Sequence, residues 1–542
     1  MNSVLSNNEH KGETSVDLLV VSDIHGRFIS KGDQANDNHQ VGLDRFANYL
    51  KNTRELNPNV FVINNGDAIQ GSPLVDLHNF RSSKSISNDH PLNVVQNYLN
   101  VDCFVPGNHE FNFGFDYLKQ VHAGSKATWL AANIYYHNSD NLVFKPYKIF
   151  QSGDIKIGVI GVVTDFVSKW ESKQTIAGLE FRNAVTACRA YIPIVKSQCD
   201  FLIVSYHGGL KRNPEDGEIW SIGETTENHG IEIWESSDDI DLLITGHQHR
   251  QLLFKPRQKN RAVLLQPSCF SKHWAHIRLT KHSHPASDTN LTIDASPGIV
   301  AAEETDPDGE IKNLLKHHLV QIEKILTTPV GSVDQSFLIH DPMKDVWLNK
   351  HPLIQWINQL MCRCAKVDIS AIPLLNPRLK GLSGNVTIED ILSFFFFQDT
   401  VCAIEITGHI LKKALEKSAG FFQLQPGKNG ENVVSINPNW RKARVLSYNY
   451  DMWEGIEYEF DIRRSIGKRL VFVKRNGRPI DNEEKLRIAV TSYRSGGAFY
   501  DMLSPELIVK EFPDRITDLM IRDLREKKQL SISPTQNFNI KY

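Results

Sequence analysis

The stretch "VDCFVPGNHEFNFGFDYL" (Val101–Leu118) decides the fold class. It opens as a short apolar run without alternation, as a strand buried on both faces does. It breaks at Pro106 and Gly107, then delivers Asn108, His109 and Glu110 together, a group that reads like a metal or phosphate site. In α/β sheets, loops at the carboxyl ends of strands converge on one crevice, where ligands bind. Asn112 stands where a carboxylate would be the obvious partner for a working histidine.

Four more runs share this pattern. "DLLVVSDIH" ends in Asp23 and His25, and "NVFVINNGD" in Asp67. "CDFLIVSYHGG" carries His207, and "IDLLITGHQH" carries His247 and His249. "KIGVIGVVT" and "AVLLQPSCF" add strands, and helix-like stretches such as Leu43–Leu56 and Asn93–Leu99 lie between. The alternation predicts an α/β domain with helices flanking sheets. A lone histidine at a strand end is ordinarily a hydrogen-bonded structural residue. Five strand ends all delivering Asp, Asn or His are not explained that way; the set suits hard or borderline divalent cations.

At 542 residues the chain exceeds one ordinary core. A polar stretch at Ser283–Asp308 predicts the edge of a first domain, residues 16–300. Apolar positions at Ile311, Leu314, Leu315, Leu319, Ile322 and Leu326 recur at helical spacing, so residues 301–332 read as a linker helix ending before Pro329. A second α/β domain, 333–542, is expected to hold helices near Pro352–Ala365 and Thr387–Phe397 and strands in "EGIEYEFDI" and "KLRIAVTSY". "FFFF" (Phe394–Phe397) reads as core.

The formal net charge is -2, and no segment concentrates Lys and Arg, which excludes polymeric nucleic acid as the expected partner. No run of eighteen apolar residues predicts a membrane span. The seven cysteines are dispersed and odd in number, so reduced thiols are expected. With no signal peptide visible, the cytoplasm is the expected compartment, or the exterior if a leader has been removed.

The blocks "SDIHG", "NNGDAIQGSP", "GNHEFNFG", "YHGG" and "GHQH" resemble, in order and content, those of the calcineurin-like metallophosphoesterases. The resemblance implies a four-layer α/β catalytic domain holding two divalent ions, with Mn, Zn, Fe and Co all compatible. Asp23, His25, Asp67 and His249 would hold one, and Asp67, Asn108, His207 and His247 the other. His109 would neutralise a phosphate oxygen or protonate the leaving alkoxide. Asn112 would orient His109 through its amide oxygen, leaving it less basic than an aspartate partner would.

The two-domain order is similar to the 5′-nucleotidase superfamily, whose carboxy-terminal domain clasps a nucleobase between aromatic rings. The corresponding positions are Tyr450, with Tyr448 a close rival, and Tyr493. Arg494 and Arg378 are expected at phosphate or ribose. "NGDAIQGSPL", Asn112 and "YRSGG" resemble the 2′,3′-cyclic-nucleotide 2′-phosphodiesterase/3′-nucleotidases, although Ser268 and Ala275 replace usual glycines. The expected substrate is a small nucleotide; a 5′-nucleotidase or UDP-sugar hydrolase is the alternative, and a nucleotide sensor with vestigial turnover a third reading.

Overall fold

The seven apolar runs form strands in two facing six-stranded sheets. The computed structural model describes residues 13–30, 41–76, 90–220, 227–258, 261–284, 287–395, 399–427, 431–438, 440, 447–497 and 499–542. The chain divides into two units, Met1–Ile322 and Glu323–Tyr542.

In the first unit, one sheet runs Ser287–Ala301, His273–His284, Glu13–Val21, Val60–Asn64, Cys103–Phe104, Thr128–Trp129. Its last four strands are parallel. The other sheet runs Gln251–Phe254, Val263–Pro267, Leu242–Ile244, Phe201–His207, Ile155–Val163, Tyr147–Ser152, with the central four parallel. Leu18, Val20 and Ile63 of one sheet share a buried cluster with Ile157, Ile203 and Ile244 of the other, so the sheets pack face to face. The helix Ala184–Lys196 seals the outer face of the second sheet through Cys188, Ile192 and Val195. The helix Leu43–Leu56 lies against the first sheet, with Phe46 on Trp274. Four layers result, and the parallel strands carry the loops that hold the site.

Two expectations shift. The polar stretch after Ser283 contains a long edge strand, Ser287–Ala301, paired with His273–His284. Exposed and part-buried positions alternate along its second half, so one side-chain face meets solvent and the composition reads as polar. The expected linker helix is two helices, Gly309–Leu314 and Lys316–Leu326, interrupted at Leu315.

The second unit has a five-stranded sheet, Asp451–Glu454, Ile369–Pro373, Lys485–Thr491, Thr400–Thr407, Ile508–Arg515. The helix Pro352–Ala365 packs on it. A four-stranded sheet carries Arg478–Pro479, Leu470–Arg475, Glu457–Asp461 and Phe538–Lys541. The stretch expected as helix over Thr387–Phe397 is shorter, Ile388–Leu392, started by a Thr387–Asp390 capping box. Phe394 and Phe395 are core; Phe396 and Phe397 lie outside the described residues.

Candidate active site

The carboxyl ends of both sheets carry the polar residues that end the apolar runs. Asp23, His25, Asp67, His247 and His249 take φ of 52°, 48°, 53°, 65° and 56°, a left-handed conformation that non-glycine residues adopt at a cost of about 1–3 kcal/mol each. Such strain collected at one place aims side chains where an ordinary loop would not.

Among the described residues, two groups of ligand atoms gather within 4.8 Å, Asp23 with His25 and His249, and Asp67 with His207 and His247. They adjoin, since His207 Nε2 lies 3.0 Å from Asp67 and 3.9 Å from Asp23. Asn108 Oδ1 lies 2.9 Å from His247 Nδ1. All seven residues expected as metal ligands therefore meet in one place.

The donor set fits divalent cations. His25 Nδ1 bonds the Gln70 carbonyl at 3.0 Å, and His207 Nδ1 bonds the Asn65 carbonyl. A backbone carbonyl can only accept, so each Nδ1 carries a proton. His25 Nε2 keeps its lone pair, whereas His207 Nε2 also faces an acceptor, and against burial Asp67 and Asp23 push His207 up to about 10. His25 Nε2 faces His249 Nε2 at 3.0 Å, and His207 Nε2 faces the Asp67 carboxylate. Burial pushes His25 down to about 3 and holds His249 and His109 low, which keeps these imidazoles neutral. Burial pushes Asp23 up to about 6. Burial would raise Asp67, but the His207 charge beside it outweighs burial and holds the carboxyl well below the usual range. Buried carboxylates, the neutral imidazoles of His25 and His249, and His207, which would give up a proton on binding, are what a hard or borderline divalent cation takes.

The supports are equally specific. Glu110 is fully buried, and its carboxylate accepts from the amides of Asp67 (2.8 Å), Ala68 (2.7 Å), Ile69 (3.3 Å) and Gly107 (2.6 Å). It ties two ligand loops together, which corrects its reading as part of the metal-type group. Gly107 is required here, because a Cβ would collide with the Asp67 carboxylate. Asn65 accepts from Ser205 Oγ at 2.7 Å while its carbonyl fixes His207. Trp170 stacks on His247, ring centroids 5.2 Å apart at 22°. Phe270 packs against His25 and His249. His109 Nδ1 lies 2.7 Å from Asn112 Oδ1, and Asn112 Nδ2 donates to Glu171 at 2.5 Å.

In the second unit two expectations are corrected. Tyr450 is fully buried and stacks on Phe421 at 4.8 Å and 17°, so its faces belong to the core. Tyr448 is partly exposed and meets Tyr493 edge to face, centroids 6.3 Å apart at 77°. Arg494 is buried, paired with Asp451 at 2.7 Å, and donates to Asn449 Oδ1 and the Tyr448 carbonyl. It braces the aromatic turn from inside. Asp399 accepts from Ser492 Oγ (3.0 Å) and the Tyr493 amide (3.3 Å), anchoring the other ring. Arg378 is exposed on the loop after Ile369–Pro373, apart from these contacts in the sequence.

Residues 16–251 match the calcineurin-like phosphoesterase family, and residues 329–505 match the 5′-nucleotidase C-terminal domain. The chain thus carries a calcineurin-like phosphoesterase domain followed by a 5′-nucleotidase C-terminal domain. This phosphoesterase is 25% identical to the trifunctional nucleotide phosphoesterase protein YfkN of Bacillus subtilis, over 97% of the chain and 39% of YfkN. It thus spans about two fifths of that relative. It is 24% identical to the 2′,3′-cyclic-nucleotide 2′-phosphodiesterase/3′-nucleotidase of Haemophilus influenzae, over 98% of the chain and 88% of the relative. A Staphylococcus aureus structure, provisionally assigned as a 5′-nucleotidase, superposes with a TM-score of 0.85 at 27% identity, covering 98% and 100% of the two chains.

Sequence reading of the phosphoesterase passed over Asn65, Trp170, Glu171, Phe270 and Asp399. Asn65 sits inside the quoted "NNGD" and could have been weighed; Trp170 and Glu171 lie in "DFVSKWESK", which carries no pattern pointing to the site.

Proposed function

We propose that this phosphoesterase opens 2′,3′-cyclic nucleotides to 3′-nucleotides and then releases the 3′-phosphate to leave a nucleoside. The observation that carries the chemistry is the pair of adjoining donor groups, Asp23–His25–His249 and Asp67–His207–His247, with Asn108 beside the second. The substrate class is supported by the Haemophilus, Salmonella and Yersinia relatives named for this dual activity, aligned over 81–88% of their own lengths. Asn112 supports it too, as the position where the motif departs from the true 5′-nucleotidase form.

Asp23, His25, Asp67 and His249 would hold one divalent ion, and Asp67, Asn108, His207 and His247 a second, with Asp67 shared. Such ions neutralise phosphate oxygens and lower the pKa of water. The chain's own groups do the rest. The His109 amide donates to Asp67 Oδ1 at 2.9 Å, which fixes the backbone of the histidine to the ligand cluster. His109, with Nδ1 held by Asn112, serves as the proton-transfer group for the departing ribose oxygen. Tyr448 and Tyr493 offer the nucleobase its aromatic contact. A base between them needs the rings parallel and roughly 7 Å apart, two van der Waals contacts of about 3.5 Å, so binding turns one ring from its edge-to-face position.

A 5′-nucleotidase is the second reading, favoured by the Staphylococcus structure. The test is kcat/KM for 2′,3′-cyclic AMP, 3′-AMP, 5′-AMP and a UDP-sugar. The proposal expects the first two to lead; preference for 5′-AMP or the UDP-sugar overturns it in favour of the second reading. Binding without turnover by metal-replete protein would indicate a sensor.

A further inference from the structure

Glu171 follows the turn Val167–Trp170, and its carboxylate takes the hydrogen bond from Asn112 Nδ2 at 2.5 Å. The other end of that amide meets His109 Nδ1 at 2.7 Å. An amide's two ends have nearly the same shape, and which end faces an imidazole decides the imidazole's tautomer. A carboxylate only accepts. With Glu171 at one end, the NH₂ group must point to it and the amide oxygen to His109. His109 Nδ1 then has to donate, so it keeps its proton throughout, and Nε2 is the atom that takes a proton from solvent and passes it to the departing oxygen, returning to its lone pair. Turned round, the amide would set its oxygen against a carboxylate oxygen, two acceptors in contact.

We propose that Glu171 is a positioning residue that sets the tautomer of His109 through Asn112. The inference rests on the reading of His109 as the proton-transfer group. An aspartate at 112 would hold Nδ1–H unaided, since it accepts with either oxygen. An asparagine needs an outer acceptor to fix its orientation, and Glu171 supplies it. The carboxylate that seemed missing from "GNHEFN" stands one hydrogen bond further out, contributed by a segment more than fifty residues away in sequence. The same turn presses Trp170 on His247, so one short piece of chain steadies two histidines of the site.

The test compares leaving groups. A ribose alkoxide needs a proton to depart, whereas 4-nitrophenolate leaves without one. Glu171→Ala should lower kcat on 3′-AMP about 10–100-fold, part of the 10²–10⁴ that positioned proton transfer supplies, with KM and 4-nitrophenyl phosphate turnover changed less than about 3-fold. Glu171→Gln, which keeps an acceptor, should restore most of the loss. Asn112→Asp alone should be worse than Asn112→Asp with Glu171→Gln, because the single change sets two carboxylates together and the double change exchanges carboxylate and amide. In metal-free protein with 15N-labelled imidazoles, the resonance lost in His109→Ala should show a protonated Nδ1, and Glu171→Ala should mix the tautomers. Equal losses on both esters for Glu171→Ala, or no recovery in the double variant, overturn the inference while leaving His109 in its role. If His109→Ala itself loses equally on both esters, the reading of His109 fails and the inference with it.

Discussion

Asp67 links several parts of the site. Its oxygens lie against His207 and the His109 amide, and its own amide is held by Glu110. Asp67→Ala should therefore abolish turnover of every phosphoester, nitrophenyl esters included, and reduce bound metal in elemental analysis; retained activity with full metal content would remove Asp67 from the centre. The tyrosines separate by the same reasoning. Tyr448→Ala and Tyr493→Ala should weaken nucleotide binding by about 1–3 kcal/mol if a stacked base is lost, and leave bis-nitrophenyl phosphate nearly unchanged. Tyr450→Ala should instead lower stability by about 3–5 kcal/mol, as truncation of a buried aromatic does, read from the urea midpoint. A stable Tyr450 variant with selective loss of nucleotide binding would reinstate the ring as a ligand contact. The sequence could not decide between Tyr448 and Tyr450, because alternation places both on a turn and only packing on Phe421 buries one.

Strand ends hold the functional residues, and strand interiors fix where those ends fall. The runs were legible as strands because parallel strands covered on both faces need unbroken apolar sequence. Their terminal Asp, Asn and His were legible for the same reason, standing where apolar residues stop. Glu171 was not, since its turn reaches Asn112 through tertiary packing that no local pattern records. The edge strand Ser287–Ala301 was missed because one open face gives it the composition of a loop. Away from the site, Asp17 in Glu13–Val21 anchors the neighbouring strand His273–His284. It is buried and accepts from Asn57 (2.9 Å), His276 (3.0 Å) and Arg278 (2.9 Å). Burial alone would raise its pKa, but these bonds outweigh burial and hold it well below the usual carboxylate range. Its folded value lies below the unfolded one near 3.9, so its contribution is complete above that pH and is lost as pH falls through the folded value. Asp17→Asn should cost about 2–3 kcal/mol at pH 7, and the gap to wild type should narrow below about pH 4. A gap independent of pH would show that the charge contributes nothing.

At the scale of the molecule, two units divide the work. The first carries the phosphate chemistry in a strained, largely buried cluster; the second carries the half-buried aromatic pair, braced by Arg494 and Asp399. Strain at the cluster is a stability cost borne for function. His249→Gly, which relieves φ of 56°, should leave the metal-free protein about as stable as wild type while removing activity; a loss above about 2 kcal/mol would show that the ring, not the strain, dominates there. In the proposed sequence one centre carries out two reactions, ring opening first and release of the 3′-phosphate second. The most direct measurement follows 2′,3′-cyclic AMP by chromatography, in chelated protein and after divalent metal is restored. Without metal no turnover is expected, and with metal a transient of 3′-AMP should give way to adenosine and phosphate. Accumulation of 2′-AMP, turnover that ignores chelation, or an inert cyclic nucleotide would contradict the proposed reactions.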